Sequence, residues 1–552
     1  ELAKRALDYY RRLPAELRSP ETERNQALAQ VRYGTVLRVQ SRIDEARAAL
    51  GTAVTALEAL RARGDRSEAA AIGLALGLTE QSRAVTPAGY DRDAVPPAER
   101  AAALLAPAAA ASGASVALRR AHAAALTQLG FVQTRQRRFE PGLAALEAAL
   151  ATWRGIDPLL AESDAAVNFG VATARLVEAY DRANRPEDAA RAGEEGLRAT
   201  STLIERQPSN MLALRTRALI LDSLAAVEWN QLQPGRRLAA ANDAARDWAL
   251  LSRIDPSDAV LKNSLMNART IASAALWDQG RPRQSLAKVL ENDEFGPAAE
   301  GSYVVASALY YSIDSAAYLA AELGQAVAAD KHLVDRQHLF DISMRSNGPP
   351  SFLLQYFRIQ TRIRPVESAM LLGDLTRARA AAQGLRERLL ALPTTNDFER
   401  LRMAAALNQL HNTLGRVALQ ARDFAAAQAE FRLVAETRKQ LPAETLVDRR
   451  DAADDASLLA ITLAHAGRLD EARALAEPAL ALQREVHARQ TDDQMHKLGL
   501  VLALVAAARA TPDKASALLA QAQAAFDSLP AEARGLRSSQ LLQGLIADAP
   551  RP

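Results

Sequence analysis

An all-α fold made of repeated αα-hairpins is predicted by three observations. Ala, Leu, Arg and Glu, all strong helix formers, dominate the 552 residues, and only 5% are aromatic. Apolar residues recur at helical spacing on both sides of short breaks, most plainly from Leu459 to Val486. The residues that open the second helix of that stretch then return along the whole chain at a nearly constant interval.

In the Leu459–Val486 stretch, Leu459, Leu463 and Ala464 form one stripe before Gly467-Arg468 interrupts the run. A second helix starts at Leu469 and carries Ala472, Ala476, Ala479 and Leu480 on one face. Two helices joined by so short a turn fold back on each other, and a small-residue seam cannot bury all of their apolar surface without similar neighbours. Relatives of the opening Arg468-Leu469-Asp470-Glu471-Ala472 begin at Arg42, Arg138, Arg185, Arg281, Asp374, Asp423 and, weakly, Thr511. The fifth positions lie 96, 47, 96, 93, 49, 45 and 43 residues apart, so three gaps are about double the others. Turns near Pro97-Ala98-Glu99, Gly235-Arg236-Arg237 and Gly324-Gln325-Ala326 fill them. The expectation is about eleven hairpins, averaging nearly 47 residues, in one continuous array over residues 1–552. Two stretches, 86–97 (TPAGYDRDAVPP) and 346–351 (SNGPPS), have loop composition and are possible bends in that array.

The residues at these positions resemble the tetratricopeptide repeat. Tyr33-Gly34 precedes Ile43 and Ala46, Leu129-Gly130 precedes Phe139 and Gly142, and Leu414-Gly415 precedes Phe424, Ala427 and Phe431. Small residues there let two helices touch backbone to backbone. The resemblance implies a solenoid, a right-handed superhelix of antiparallel helix pairs with a concave face. Two features depart from it: the family repeat is 34 residues, and its closing proline is mostly missing here. Helices longer by one to two turns follow from the first, and a HEAT-type array remains the structural alternative.

Charge and composition exclude several functions. The chain has 61 Arg and 7 Lys, yet its net charge is only +3 because acids are interspersed throughout. That is a weak overall field, and no nucleic-acid partner is expected. There is no cysteine, which removes disulfides, thiolate metal sites and cysteine nucleophiles. Every apolar run is interrupted by charge before it reaches membrane-span length. The sequence opens at Glu1 in a helical pattern, so the expectation is that the natural start lies upstream; a cytoplasmic setting is expected.

Catalytic chemistry is not visible. No two histidines stand four apart as a helical zinc site requires, and His332 and His338, six apart, are expected in solvated or capping roles. Gly73 and Gly77 lack the context of a phosphate loop, and no GxSxG is present. Adjacent acids such as Glu194-Glu195 and Asp454-Asp455 are expected to face water. A helical-barrel glycosidase, which places two acids over an aromatic pit, is disfavoured by the four tryptophans. No cofactor, metal or catalytic residue is assigned, and the chain is expected not to be an enzyme.

One compositional feature points to binding. Nine of the 25 aromatic residues fall between Phe295 and Phe357. Tyr303 and Tyr310 are seven apart and share a helical face, as do Tyr311 and Tyr318. Tyr356 precedes Arg358 and Arg362, which are one turn apart and could together hold a carboxylate. Tyr and Arg are frequent anchors of protein interfaces, and the competing reading is that these rings fill a wider part of the core. The function expected is a protein- or peptide-binding scaffold whose partner is a separate chain or an effector domain of the same polypeptide. Long Ala/Arg-rich repeats of this kind resemble the C-terminal sensor regions of bacterial multidomain signalling proteins, such as kinases and STAND-type ATPases. A free-standing adaptor or assembly factor is the alternative.

Overall fold

In the computed structural model of the chain, the described residues are 2–17, 19–40, 42–85, 91–157, 162–344, 352–489 and 492–548. Among them there is helix and turn but no strand. The chain divides into two compact units, Glu1–Val227 and Glu228–Pro552.

The first unit holds α1 (Leu2–Arg11), α2 (Pro20–Val39), α3 (Ile43–Ala62), α4 (Glu68–Val85), α5 (Asp91–Ala109), α6 (Val116–Arg135), α7 (Phe139–Ile156), α8 (Ser163–Arg182) and α9 (Pro186–Arg206). It ends within α10 (Met211–Asn230). The pairs α2–α3, α4–α5, α6–α7 and α8–α9 pack as hairpins, and the first helices α2, α4, α6 and α8 also touch in sequence.

The second unit continues with α11 (Pro234–Ile254), α12 (Ala259–Asp278), α13 (Pro282–Leu290), α14 (Gly296–Ala299), α15 (Tyr303–Glu322), α16 (Ala326–Met344), α17 (Phe352–Gln360), α18 (Ile363–Leu371), α19 (Leu375–Ala382) and α20 (Leu385–Leu390). It closes with α21 (Asp397–Gln420), α22 (Phe424–Arg438), α23 (Leu446–His465), α24 (Leu469–Ala488), α25 (His496–Ala510), α26 (Ala515–Asp527), α27 (Ala531–Arg534) and α28 (Arg537–Ala547). Hairpin packing recurs in α12–α13, α15–α16, α18–α19, α21–α22, α23–α24 and α25–α26. The fold is thus the expected all-α repeat of αα-hairpins, and many of its helices are 20 residues long.

One local rule sets the repeat. Two residues before a second helix, the backbone is left-handed: at Arg137, Asn184, Leu232 and Arg422, and at Gly280, Gly324, Gly373 and Gly467. The next N–H then reaches back five residues, as in Arg138 N to the Gln133 carbonyl at 3.0 Å and Arg468 N to the Leu463 carbonyl at 3.0 Å. This closes the first helix and turns the chain. Most second helices open on Arg or Asp, and α11 opens on Gln233. Asp374 and Asp423 accept the N–H of Arg377 and Ala426 directly. Arg42, Arg185 and Arg468 instead pair with the acid three residues on, at Glu45, Asp188 and Glu471. The fourth residue of the second helix is most often alanine, as at Ala46, Ala94, Ala189, Ala329, Ala378, Ala427 and Ala472, each with no exposed surface; in α7, α11 and α13 it is Gly142, Arg237 and Ser285. There the two helices cross.

One expectation about a loop is corrected. The helix starts at Asp91, not after Pro97, because Ala94, Val95, Ala98, Ala101, Ala102 and Leu105 do follow a helical period and are buried. Residues 86–90 of that stretch and the whole of 346–351 lie outside the described residues. Within the second unit the chain also returns upon itself. The Asp278 carbonyl accepts the N–H groups of Gln494 and Met495 at 2.7 and 3.1 Å. Ser538 N donates to Glu322 at 3.0 Å. Leu232 packs with Leu446, Val447 and Val486.

Candidate interaction site

The aromatic-rich segment is positioned by α15. Ser302 caps that helix by accepting the Val305 N–H, which fixes Tyr303 as its first residue. Tyr303 is therefore half exposed, whereas Tyr310, two turns on, is buried against Phe340 with the Arg336 guanidinium 5.5 Å from its ring. Tyr311 meets Tyr310 edge to face at 5.1 Å and keeps 52% of its surface exposed. Tyr318 is partly buried, donates to Glu322 at 2.9 Å and lies under Arg364 at 5.0 Å. Tyr356 is buried between Phe352 and Phe357. The tyrosines expected on shared faces are thus divided between core and surface.

Asp314, on α15, ties these helices together. Its carboxylate accepts Arg364 Nη2 at 2.9 Å and Nε at 3.2 Å and also pairs with Arg336. Burial alone would raise the Asp314 pKa, but the two guanidinium groups outweigh it and hold it below the usual carboxylate value. Arg336 further donates to the Thr361 carbonyl. That carbonyl is free because Pro365 has no N–H to give it. The same proline explains why α17 stops at Gln360 and α18 begins at Ile363. Arg358 and Arg362 are consequently on different elements, with Arg362 at the N-cap of α18; both are exposed.

A residue that the sequence did not single out joins this surface. Arg402, exposed on α21, lies 5.2 Å from the Phe398 ring and close enough to Tyr356 for its charge to act on that hydroxyl. Burial raises the Tyr311 and Tyr356 pKa values, and the Arg402 charge lowers both. Phe398 is 45% exposed and Leu401 is exposed beside it. Among the described residues Arg402 makes no ion pair with a carboxylate. The only signal in the sequence was Phe398 and Arg402 standing one turn apart, a repeat beyond the tyrosines. The nearness of Arg402 to Tyr356 comes from the packing of α17 on α21.

Charge is also buried where the sequence suggested solvent. Asp455 is 7% exposed and accepts Arg438 and Asn412, and Asp454 accepts Gln483 at 2.8 Å. Burial pushes Asp454 up to about 7. Gly499 makes room for this pair, since a Cβ there would lie 2.7 Å from both partners. His332 is buried and its pKa is lowered by burial, contrary to the solvated role expected; His338 is exposed beside Glu300 at 2.8 Å. Asp278 pairs with Arg237 at 2.9 Å, and burial followed by the charge of Asp493 raises its pKa. No cluster of three or more His, Cys, Asp or Glu side chains that could hold a metal is present among the described residues. No helix among them is long and apolar enough to cross a membrane.

Comparison with known proteins gives no family and no curated relative. No family model matches the chain, and no curated protein matches it. Solved structures give weak similarity over long spans. The apo form of RapI has a TM-score of 0.49 at 9% identity, covering 80% of this chain and 98% of that one. An IFIT1 monomeric mutant with Gppp-AAAA has a TM-score of 0.37 at 12% identity, covering 91% and 93%. A tetratricopeptide repeat protein from Parabacteroides merdae has a TM-score of 0.29 at 12% identity, covering 60% and 98%. Similarity at this level carries no ligand to this chain.

Proposed function

We propose that this protein is a non-enzymatic scaffold that binds a peptide or an extended segment of a partner protein. One observation supports this most: Tyr311 and Phe398 are about half exposed near Arg402, a guanidinium without a carboxylate partner among the described residues. Exposed rings supply apolar area at little entropic cost, and the arginine supplies direction. Tyr303, Arg358 and Arg362 are exposed and extend the proposed surface, while Tyr310, Tyr318 and Tyr356 support it from beneath. Continuity of the repeat over 1–552 and a role as the sensor region of a larger signalling protein belong to the same reading.

Selection of a displayed peptide library against the full chain tests it. Sequences enriched on the wild type should be lost on Tyr311→Ala with Phe398→Ala, with the far-ultraviolet helical signal unchanged. Equal enrichment on the double variant would move binding elsewhere. The intact mass of the protein in its own cells separates a sensor region, far above 59.4 kDa, from a free-standing adaptor close to that value.

A further inference from the structure

The second unit closes on itself through residues that take no part in the aromatic site. Asp278 is the last residue of α12, and its carbonyl accepts the N–H groups of Gln494 and Met495 just ahead of α25. Asp493, in the same short segment, caps α25 by accepting the His496 N–H at 2.9 Å. Gly235 near the start of α11 and Gly280 in the turn before α13 leave room for that segment. A Cβ on Gly235 would collide with the Asp492 carboxylate, and one on Gly280 would lie 3.3 Å from Gln494.

Docking brings two carboxylates together, with Asp493 buried and Asp278 partly so. Arg237 of α11 donates to Asp278 at 2.9 Å. Arg450 of α23 lies 3.6 Å from Asp493 but is held more closely by Asp451, at 3.0 Å. Three aspartates thus share two guanidiniums. Around them stand Asp454 of α23, His487 of α24, Asp492 in the segment itself, and His496 and Lys497 of α25. Glu228 of α10, itself near Arg236 of α11, borders Asp492.

Burial raises the pKa of both Asp278 and Asp493, and the Asp493 charge adds to the rise at Asp278, which reaches about 7. Arg237 and Arg450 oppose this without cancelling it. Burial holds His496 neutral instead, at about 4. Two carboxylates so placed keep one proton between them. Undocked, both ionise near pH 4, and an ionised Asp493 is the better cap for α25. The docked arrangement therefore binds one proton more between about pH 4 and about pH 7. Its advantage is full below pH 4 and is lost as pH rises through 7. We propose that Asp278 and Asp493 form a pH-governed latch: their shared proton keeps the segment before α25 docked on α11 and α12, and its loss releases the closure of the second unit.

Hydrogen exchange of the full chain at about pH 6 and about pH 8, read as protection factors that divide out the intrinsic rate, tests this. Protection at residues 275–282 and 492–500 is expected to fall about tenfold between the two conditions, with little change in α8 of the first unit. In Asp278→Asn, and separately in Asp493→Asn, both segments should be protected equally at the two pH values, because no shared proton remains to be lost. Asp454→Asn and His487→Gln should each keep the wild-type fall. If Asp278→Asn fails to fold, Asp493→Asn decides. Equal protection of the wild type at both pH values overturns the proposal, as does a fall that persists in the Asp278 or Asp493 variant. An equal fall in α8 also overturns it, since the response would then be global. A fall abolished by His487→Gln overturns it too and assigns the switch to His487 and His496, whose ring nitrogens are 3.2 Å apart. A fall abolished by Asp454→Asn does the same and assigns it to Asp454.

Discussion

Gly130 and Gly142 stand where α6 crosses α7. A Cβ on Gly130 would lie 2.6 Å from the Gly142 carbonyl oxygen and 2.5 Å from Leu146. The backbone oxygen cannot step aside, so Gly130→Ala is expected to lower stability by about 2 kcal/mol, read from the denaturant midpoint. Gly155, late in α7, has nothing within 4 Å of its Cβ position, and Gly155→Ala should raise stability by about 0.5–1 kcal/mol. Asp454 gives a pH test. Unfolded aspartate loses its proton near pH 4, while the folded group holds it to about 7. The folded state binds more protons over that interval, so the contribution is full below pH 4 and lost as pH rises to 7. Around it are Arg450, Asp451 and Asp455 of α23, Arg416 of α21, Gln483 of α24 and Gly499 of α25. Asp454→Asn should match the wild type at pH 4 and exceed it by on the order of 2–4 kcal/mol above pH 7. Parallel pH curves for the two proteins would refute the account.

The hairpin turn is the element that repeats most faithfully, and its left-handed residue is only sometimes glycine. Arg422 adopts φ 58° with an exposed side chain paired only to exposed Asp548. Arg422→Gly should therefore stabilise the chain by about 1 kcal/mol, because the strain of a left-handed side chain is removed. Leu232 adopts φ 54° at the corresponding place but is buried with Leu446, Val447 and Val486. Leu232→Gly should instead destabilise it by about 2 kcal/mol, as lost burial outweighs relieved strain. Thermal or denaturant unfolding of the two variants distinguishes turn geometry from packing at one register position.

An ordinary solenoid passes a perturbation only to its neighbours. The second unit differs, because its last elements lie on its first two hairpins, α12–α13 and α15–α16. A Cβ on Gly280 would lie within 3.4 Å of Pro530, Gln494 and Ala533, and one on Gly324 would meet Arg537. Ser538 supplies an N–H to Glu322, whose pKa is raised first by burial. Truncating the chain after Leu529 should therefore lower amide hydrogen-exchange protection at residues 275–325, more than two hundred positions away, and not only in the adjacent α25 and α26. Protection lost in α25 and α26 alone would show these contacts to be weak.

The sequence by itself determined the class, the hairpin and its interval. The Ala or Gly at most crossings and the Arg or Asp before most second helices are local requirements of turning the backbone, so they can be read from spacing. The inferred turn at Gly324 precedes a helix that starts at Ala326, and the one at Gly235 falls one residue inside the helix that starts at Pro234. The reading failed at Asp91–Pro97, where two prolines and two acids masked an alanine period. Only the tertiary structure decided which charged residues are buried. Asp314 finds Arg364, and Asp278 finds Arg237, across some 40–50 residues, and nothing in an aspartate's own surroundings in sequence tells whether a partner will arrive. The aromatic cluster was likewise visible only as composition. Which rings face outward depended on the cap at Ser302, the break at Pro365 and the packing of α21, because burial is a property of neighbours brought together by the fold.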